Sequence, residues 1–239
     1  MNTTSNTPPH LSPKMKMADA INQYHSLLTV LPRLGIPLGF GEKSIGQLCA
    51  EHHVSEALFM LISRVYCQDD YFPTATELQQ CRMSDILQYL TCSHKDYLEN
   101  KLPHIEHHLN ALLEPMDKKY STLITNFYAE FRKEMEKHFR YEEEVLFPYL
   151  RQILSEQEAA ESATYQKSTF HQQHDDIEDT LNELSNLLLK YIPAEISPVE
   201  RVDMLLDVYA LSNDIAKHSM MEDRILLPYI QLLESKCHE

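Results

Sequence analysis

The sequence HFRYEEEVLFPYL, residues 138–150, is repeated 80 positions later as HSMMEDRILLPYI, residues 218–230. In each copy a histidine opens the pattern and a glutamate follows four residues later. On a helix this spacing places the two side chains about 40° apart on one face, one turn from each other. The same offset relates two single histidines upstream, His94 and His174. The repeat therefore predicts two related pairs of helices that carry ligand-type side chains.

Most of the chain has the composition of long helices. All four glycines lie between residues 35 and 46, and the remainder is rich in residues with high helix propensity. Proline and polar turn signals divide this remainder into four amphipathic segments, at about residues 84–113, 118–154, 159–191 and 198–235. We therefore predict an all-α fold, an antiparallel up-down-up-down four-helix bundle preceded by a small helical domain.

The same signals give the expected domain boundaries. Four segments are expected: a disordered lead-in (1–14), a small helical N-terminal domain (15–70), a linker (71–83) and the bundle (84–236). Within the small domain, helices are predicted over about 17–32 and 43–51, and Ser55 is the predicted N-cap of the next helix.

The predicted turns place four histidines at one depth of the bundle. Residues equidistant from a turn lie at the same level when the helices are antiparallel. Each consecutive pair of these histidines is centred on a predicted turn, near residues 116, 156 and 196. The level lies roughly 33 Å from the first and third turns, at 1.5 Å rise per residue. The predicted metal ligands are four histidines and two glutamates: His94, His138, Glu142, His174, His218 and Glu222.

Six ligands of this kind suit a pair of metal ions. Four imidazole nitrogens and two carboxylates exceed the four ligands of a structural zinc site and suit two iron or manganese ions bridged by the carboxylates. A single His-x-x-x-Glu pair on a helix is usually a solvent-facing pair, but two copies with matching histidines favour a shared centre. The stretches LFPYL and LLPYI are interpreted as core packing with helix kinks at Pro148 and Pro228, and not as ligands.

Composition argues against several classes of partner. The chain has 36 acidic and 21 basic side chains, a formal charge of −15, which disfavours nucleic acid and anionic membranes. No apolar run is long enough to cross a bilayer, and the amino terminus lacks a signal-peptide core. Five cysteines without a CxxC pair indicate reduced thiols in a cytoplasmic protein. Residues 44–66 have the turn spacing of a helix-turn-helix, but residues 13–70 have no excess of basic charge.

The chain resembles the hemerythrin-like family in His94, the two HxxxE pairs and His174 within HQQHDD. It is most similar to the iron–sulfur cluster repair branch, in which a small helical domain precedes the bundle, and RLGIPLGFGEKSIGQLCAEHHVS resembles the glycine loop of that domain. The resemblance implies two non-haem irons, bridged by Glu142 and Glu222 and by an oxo or hydroxo group. Open positions on such irons bind O₂ or NO. Residues expected to support the ligands are Tyr141, Asp175 and Asp176.

The resemblance leaves two function classes open. One is a stress-response protein that restores iron–sulfur clusters damaged by oxidation or NO, by donating iron or removing NO, with damaged iron–sulfur proteins as partners. The other is an O₂- or NO-binding or sensing module without turnover. The repair branch carries a Cys-Cys pair where Gly39 and Phe40 stand here, which weakens the first class. Oxygen-carrying hemerythrins also use a fifth histidine, for which the candidates here are His104, His107, His108 and His171.

Overall fold

The computed structural model describes residues 11–155, 167–193 and 196–230, apart from the side chains of residues 152–155 and 167–176. The chain divides into two compact units, Met1–Arg82 and Met83–Glu239. The described part of the chain is helical and contains no β-strand, so the predicted all-α fold is confirmed. None of the described helices has both the length and the apolar character needed to cross a membrane.

The first unit consists of short helices around its own apolar core. Its described helices are α1 (Met17–Gln23), α2 (Leu27–Arg33), α3 (Ile45–Glu51), α4 (Glu56–Cys67) and α5 (Ala75–Gln79). Serine side chains cap two of them: the hydroxyl of Ser44 accepts from the backbone N–H of Gln47, and that of Ser55 from the N–H of Leu58. The predicted N-cap at Ser55 is therefore confirmed. The core is formed by apolar residues of α1 to α4 together with Leu11 and Ile36, which lie outside the helices.

The helix predicted over residues 17–32 is interrupted at residues 24–26, so the prediction of one continuous helix is wrong. The hydroxyl of Ser26 donates to the backbone carbonyl of Tyr66, at 3.2 Å. This bond holds the break against α4, and α2 starts afresh at Leu27, which is fully buried. Tyr24 leaves the helical conformation, with φ −133° and ψ 86°, and this ends α1.

The ends of the first unit also differ from the sequence expectation. Residues 1–10 of the expected lead-in lie outside the described residues, but Leu11 is only 4% exposed and packs in the core. The expected linker over residues 71–83 contains α5. A capping box between Thr74 and Glu77 starts this helix, which explains its formation in a polar stretch.

The second unit is a four-helix bundle. The first bundle helix comprises α6 (Met83–Asp96), a π-helical turn π1 (Tyr97–Lys101) and α7 (Leu102–Leu113). The second comprises α8 (Lys118–Tyr141), π2 (Glu142–Leu146) and α9 (Phe147–Ser155). The third is α10 (Lys167–Tyr191), and the fourth comprises α11 (Pro198–Met221), π3 (Glu222–Leu226) and a helical turn to residue 230. Contacts join α7 to α8, α8 to α10, α10 to α11 and α11 to α7, which closes the predicted bundle.

Each π-helical turn precedes a proline by two residues. The prolines are Pro103, Pro148 and Pro228. A proline has no backbone N–H, and its ring collides with the carbonyl four residues earlier, which here belongs to the π-helical turn in every case. The wider turn accommodates the proline while the helix continues. Kinks are predicted at Pro148 and Pro228, and the structure has π-helical turns before them that begin at Glu142 and Glu222.

Candidate metal centre

The bundle brings five of the six predicted ligands into its interior. His94, His138 and His218 lie in the last turns of α6, α8 and α11, and Glu142 and Glu222 are the first residues of π2 and π3. All five side chains are buried, with at most 6% of their surface exposed. The sixth, His174, lies within α10, but its side chain is outside the described residues, as is that of His171.

Four of these side chains converge on one point. One ligand atom each from His94, Glu142, His218 and Glu222 lies within 4.8 Å of the others. The Nε2 atoms of His94 and His218 are 3.2 Å apart, although their helices are first and fourth in the bundle. Glu222 Oε1 lies 3.4 Å from His218 Nε2. This cluster contains two imidazoles and two carboxylates around a common centre.

Glu142 joins His138 to this cluster. Its Oε1 atom lies 3.1 Å from His138 Nε2, and its Oε2 atom lies 3.1 Å from His94 Nε2. The two oxygens of one carboxylate therefore face histidines of two different helices. Glu142 thus connects His138 of α8 to His94 of α6.

A carboxylate outside the cluster orients His94. The Nδ1 atom of His94 lies 2.8 Å from Glu143 Oε1, and its ring stacks on Phe139 with 4.2 Å between the ring centroids. A hydrogen bond from Nδ1 fixes the ring and directs Nε2 into the cluster, as in carboxylate–histidine–metal arrangements. Sequence reasoning did not find Glu143. It named Tyr141, which is 43% exposed, and Asp175 and Asp176, whose side chains lie outside the described residues.

Electrostatics in the cluster favours a positive charge. Burial disfavours the protonated imidazole of His94. Hydrogen bonds to Glu142 and Glu143 and the charges of Glu142 and Glu222 outweigh that effect and raise the pKa of His94 to about 9. Two fully buried carboxylates are costly unless a cation neutralises them. Imidazole nitrogens and carboxylate oxygens are ligands for iron, manganese and zinc, so these residues fit a metal ion.

Cavities lie beside two of the histidines. A cavity of about 10 Å³, lined mainly by apolar side chains, contacts both His138 and His218. Its size is close to the minimum that holds one water molecule. A larger cavity of about 540 Å³ between α8 and α10 is lined by His138 and Tyr141 together with Phe127 and Phe131. His138 thus lines both cavities.

Comparison with known families identifies the bundle. The hemerythrin HHE cation binding domain matches residues 93–230, more than half of the chain. The chain belongs to the hemerythrin family. The matched hemerythrin domain contains all six predicted ligands, and its cation-binding description agrees with the buried cluster. A comparison with curated proteins finds no match.

Three further histidines of the hemerythrin domain whose side chains are described, His104, His107 and His108, have other neighbours. His104 and His108, two candidates for a fifth ligand, lie beside Asp207 of α11. The ring of His107 contacts that of His108, with 6.2 Å between centroids. Two histidines of the HIEHH run therefore lie beside Asp207.

Proposed function

We propose that this hemerythrin-family protein binds two non-haem irons and repairs iron–sulfur clusters in the cytoplasm during oxidative or nitrosative stress, by donating iron or removing NO. The observation that carries the proposal is the buried cluster, in which carboxylates and imidazoles from three helices meet without solvent exposure. The proposed ligands are His94, His138, Glu142, His174, His218 and Glu222.

The protein's contribution is to fix the ligands and keep water away. Glu142 faces histidines of two helices and would be a ligand shared by the two ions, while Glu143 contacts the His94 ring and would hold it in orientation. Phe139 and Phe147 stack against the His94 ring and shield it. When bound, ferrous iron supplies open coordination positions for O₂ or NO. The cavity of about 540 Å³ lined by His138 and Tyr141 is the proposed approach for such a ligand.

The first unit supports placement in the iron–sulfur cluster repair branch. It is a separate compact helical unit that precedes the bundle in sequence, as the resemblance implies. Its loop departs from that branch, because Gly39 and Phe40 stand where the branch has a Cys-Cys pair. Gly39 has a φ of +94°, which a cysteine rarely adopts. The proposed repair therefore depends on the metal centre and not on a thiol pair in this loop. The same departure favours the alternative, an O₂- or NO-binding or sensing module without turnover.

Metal content is the first test. Purified full-length protein loaded anaerobically should contain two irons per chain, because six ligands with a shared carboxylate suit two ions. The matched pair of variants is Glu142→Gln, which removes a cluster carboxylate, and Glu144→Gln, which removes an exposed carboxylate from the same π-helical turn. Glu142→Gln should lose iron and Glu144→Gln should retain it. A protein with one zinc and no iron would contradict the proposed centre.

A second test separates repair from sensing. Iron-loaded protein is mixed anaerobically with an enzyme whose iron–sulfur cluster has been damaged by NO, and recovery of that enzyme's activity is followed. Recovery with the parent and with Glu144→Gln, but not with Glu142→Gln, would support repair. If the protein binds NO stoichiometrically but the damaged enzyme does not recover its activity, the repair function is refuted and the sensing function is supported.

A further inference from the structure

A second cluster of metal-ligating side chains lies at the surface of the bundle. His104 and His108 are on successive turns of α7, and Asp207 faces them from α11. His108 Nδ1 lies 2.7 Å from Asp207 Oδ2, and His104 Nε2 lies 3.4 Å from the same oxygen. One ligand atom from each residue lies within 4.8 Å of the other two. Side chains from two helices thus converge on one oxygen.

This surface cluster is separate from the buried one. His104 follows His94 by ten residues, and Asp207 precedes His218 by eleven. At 1.5 Å per residue both separations amount to roughly 15 Å along the helices. No residue of the surface cluster can therefore bind an ion held by the buried cluster. The two histidines belong to the HIEHH run, which the proposed function leaves without a role.

The distances suit a tetrahedral ion. Bonds of 2.0–2.1 Å to nitrogen and oxygen in a tetrahedron place ligand atoms roughly 3.3 Å apart. His104 and Asp207 already have this separation, whereas His108 and Asp207 must open by roughly 0.6 Å. The side chains of His104 and His108 are 56% and 40% exposed, so this adjustment is sterically possible. Three protein ligands leave a fourth position for water.

Further acidic residues of α11 surround the cluster. Glu200, Asp203 and Asp207 are spaced by three and four residues, so they lie on one face of the helix. Glu200 and Asp203 line a cavity of about 220 Å³ together with His108. Neighbouring negative charges raise the local concentration of cations. Two imidazoles and one carboxylate select ions such as Zn²⁺, Ni²⁺ and Cu²⁺ over Mg²⁺ and Ca²⁺.

We propose that His104, His108 and Asp207 form a second metal site, which binds one borderline divalent ion such as Zn²⁺ and cross-links α7 to α11. This site goes beyond the proposed iron centre and does not depend on it. An ion bound there stabilises the folded bundle, because the three ligands are brought together only by folding.

The test uses iron-loaded full-length protein titrated with Zn²⁺, with both metals counted by elemental analysis after dialysis. One zinc should bind per chain without loss of iron. At a hundredfold excess over the dissociation constant, the unfolding temperature should rise by about 5–10 °C. The same titration with Mg²⁺ should give no rise. Zinc uptake matched by iron loss, or no zinc uptake, would overturn the second site.

Variants assign the zinc to these residues. His108→Ala and Asp207→Asn should each weaken zinc binding more than about tenfold, since each removes one of three ligands. His107→Ala is the matched control: its ring contacts His108, but it is not one of the three ligands, and it should bind zinc like the parent. Unchanged affinity in His108→Ala, or an equal loss in His107→Ala, would refute the assignment. Circular dichroism checks that the variants remain folded.

Discussion

The hydrogen bond between His94 Nδ1 and Glu143 allows the proposed metal centre to be tested by a partial loss of iron affinity. Glu143→Gln retains the shape and an acceptor oxygen but removes the charge that polarises the imidazole. Losing a group that orients a metal ligand costs 10- to 100-fold in affinity as a rough range. The Glu143 side chain is 41% exposed, so water replaces part of the interaction. We therefore expect the lower end of this range, a loss of about tenfold in iron affinity, which corresponds to about 1.4 kcal/mol of binding free energy.

The assay is anaerobic competition for Fe²⁺ between the protein and a coloured chelator. The control is Glu144→Gln, which makes the same change of charge at an exposed neighbour on π2. Glu144→Gln should retain the parent affinity within about twofold, since surface charges interact weakly. If both variants lose affinity equally, the effect is one of overall charge and not of His94 orientation. If Glu143→Gln binds iron like the parent, the orienting role of Glu143 is refuted.

Further predictions concern the cluster, its protonation and the core. His138→Ala should remove the near-ultraviolet absorption of bound ferric iron, whereas His107→Ala should keep it; absorption in both would contradict the ligand set. In metal-free protein the pKa of His94 is raised from 6.5 to about 9, so its contribution to stability is full below pH 6.5 and lost as pH rises through about 9. Urea unfolding should show that loss, and iron-loaded protein, in which metal replaces the proton, should not. Leu181→Ala should lower the free energy of unfolding by about 2–5 kcal/mol, because Leu181 is fully buried. Leu189→Ala, at a position 57% exposed on the same helix, should change it by less than about 0.5 kcal/mol; equal effects would place the core elsewhere.

The bundle could be predicted because prolines mark its first and third turns, whereas the second break, near residue 156, has a weaker signal without proline or glycine and lies outside the described residues. The first two predicted segments, 84–113 and 118–154, agree with helical structure over residues 83–113 and 118–155. Once the turns were placed, the depth of each histidine followed from counting. Counting residues from each turn compares only histidines on helices that are consecutive along the chain. The Nε2 atoms of His94 and His218 nevertheless lie 3.2 Å apart, although no predicted turn connects their helices. An antiparallel bundle that closes on itself explains why the level extends to this pair.

Other features depend on information that helix periodicity does not contain. Glu143 contacts His94 because two helices adopt a particular rotation, and the 80-residue repeat singles out Glu142 in the EEE run but gives no sign of a role for Glu143. The same holds for His108 and Asp207, which are 99 residues apart in sequence. The break before α2 is accompanied by a hydrogen bond from the Ser26 hydroxyl to a carbonyl of α4 that is 40 residues away in sequence. Each of these is a contact between helices, whereas the patterns in the sequence describe single helices.

The prolines explain why the repeat extends beyond the ligands. Pro148 and Pro228 each follow a cluster glutamate by six residues, and a wider turn precedes each of them. The N–H groups of Glu142 and Glu222 still bond to the carbonyls of His138 and His218, four residues earlier. Each His-x-x-x-Glu pair therefore keeps regular α-helical geometry, and the helix widens only after the glutamate. The repeated prolines thus mark where the ligand-bearing part of each helix ends, which gives LFPYL and LLPYI a structural role without a ligand.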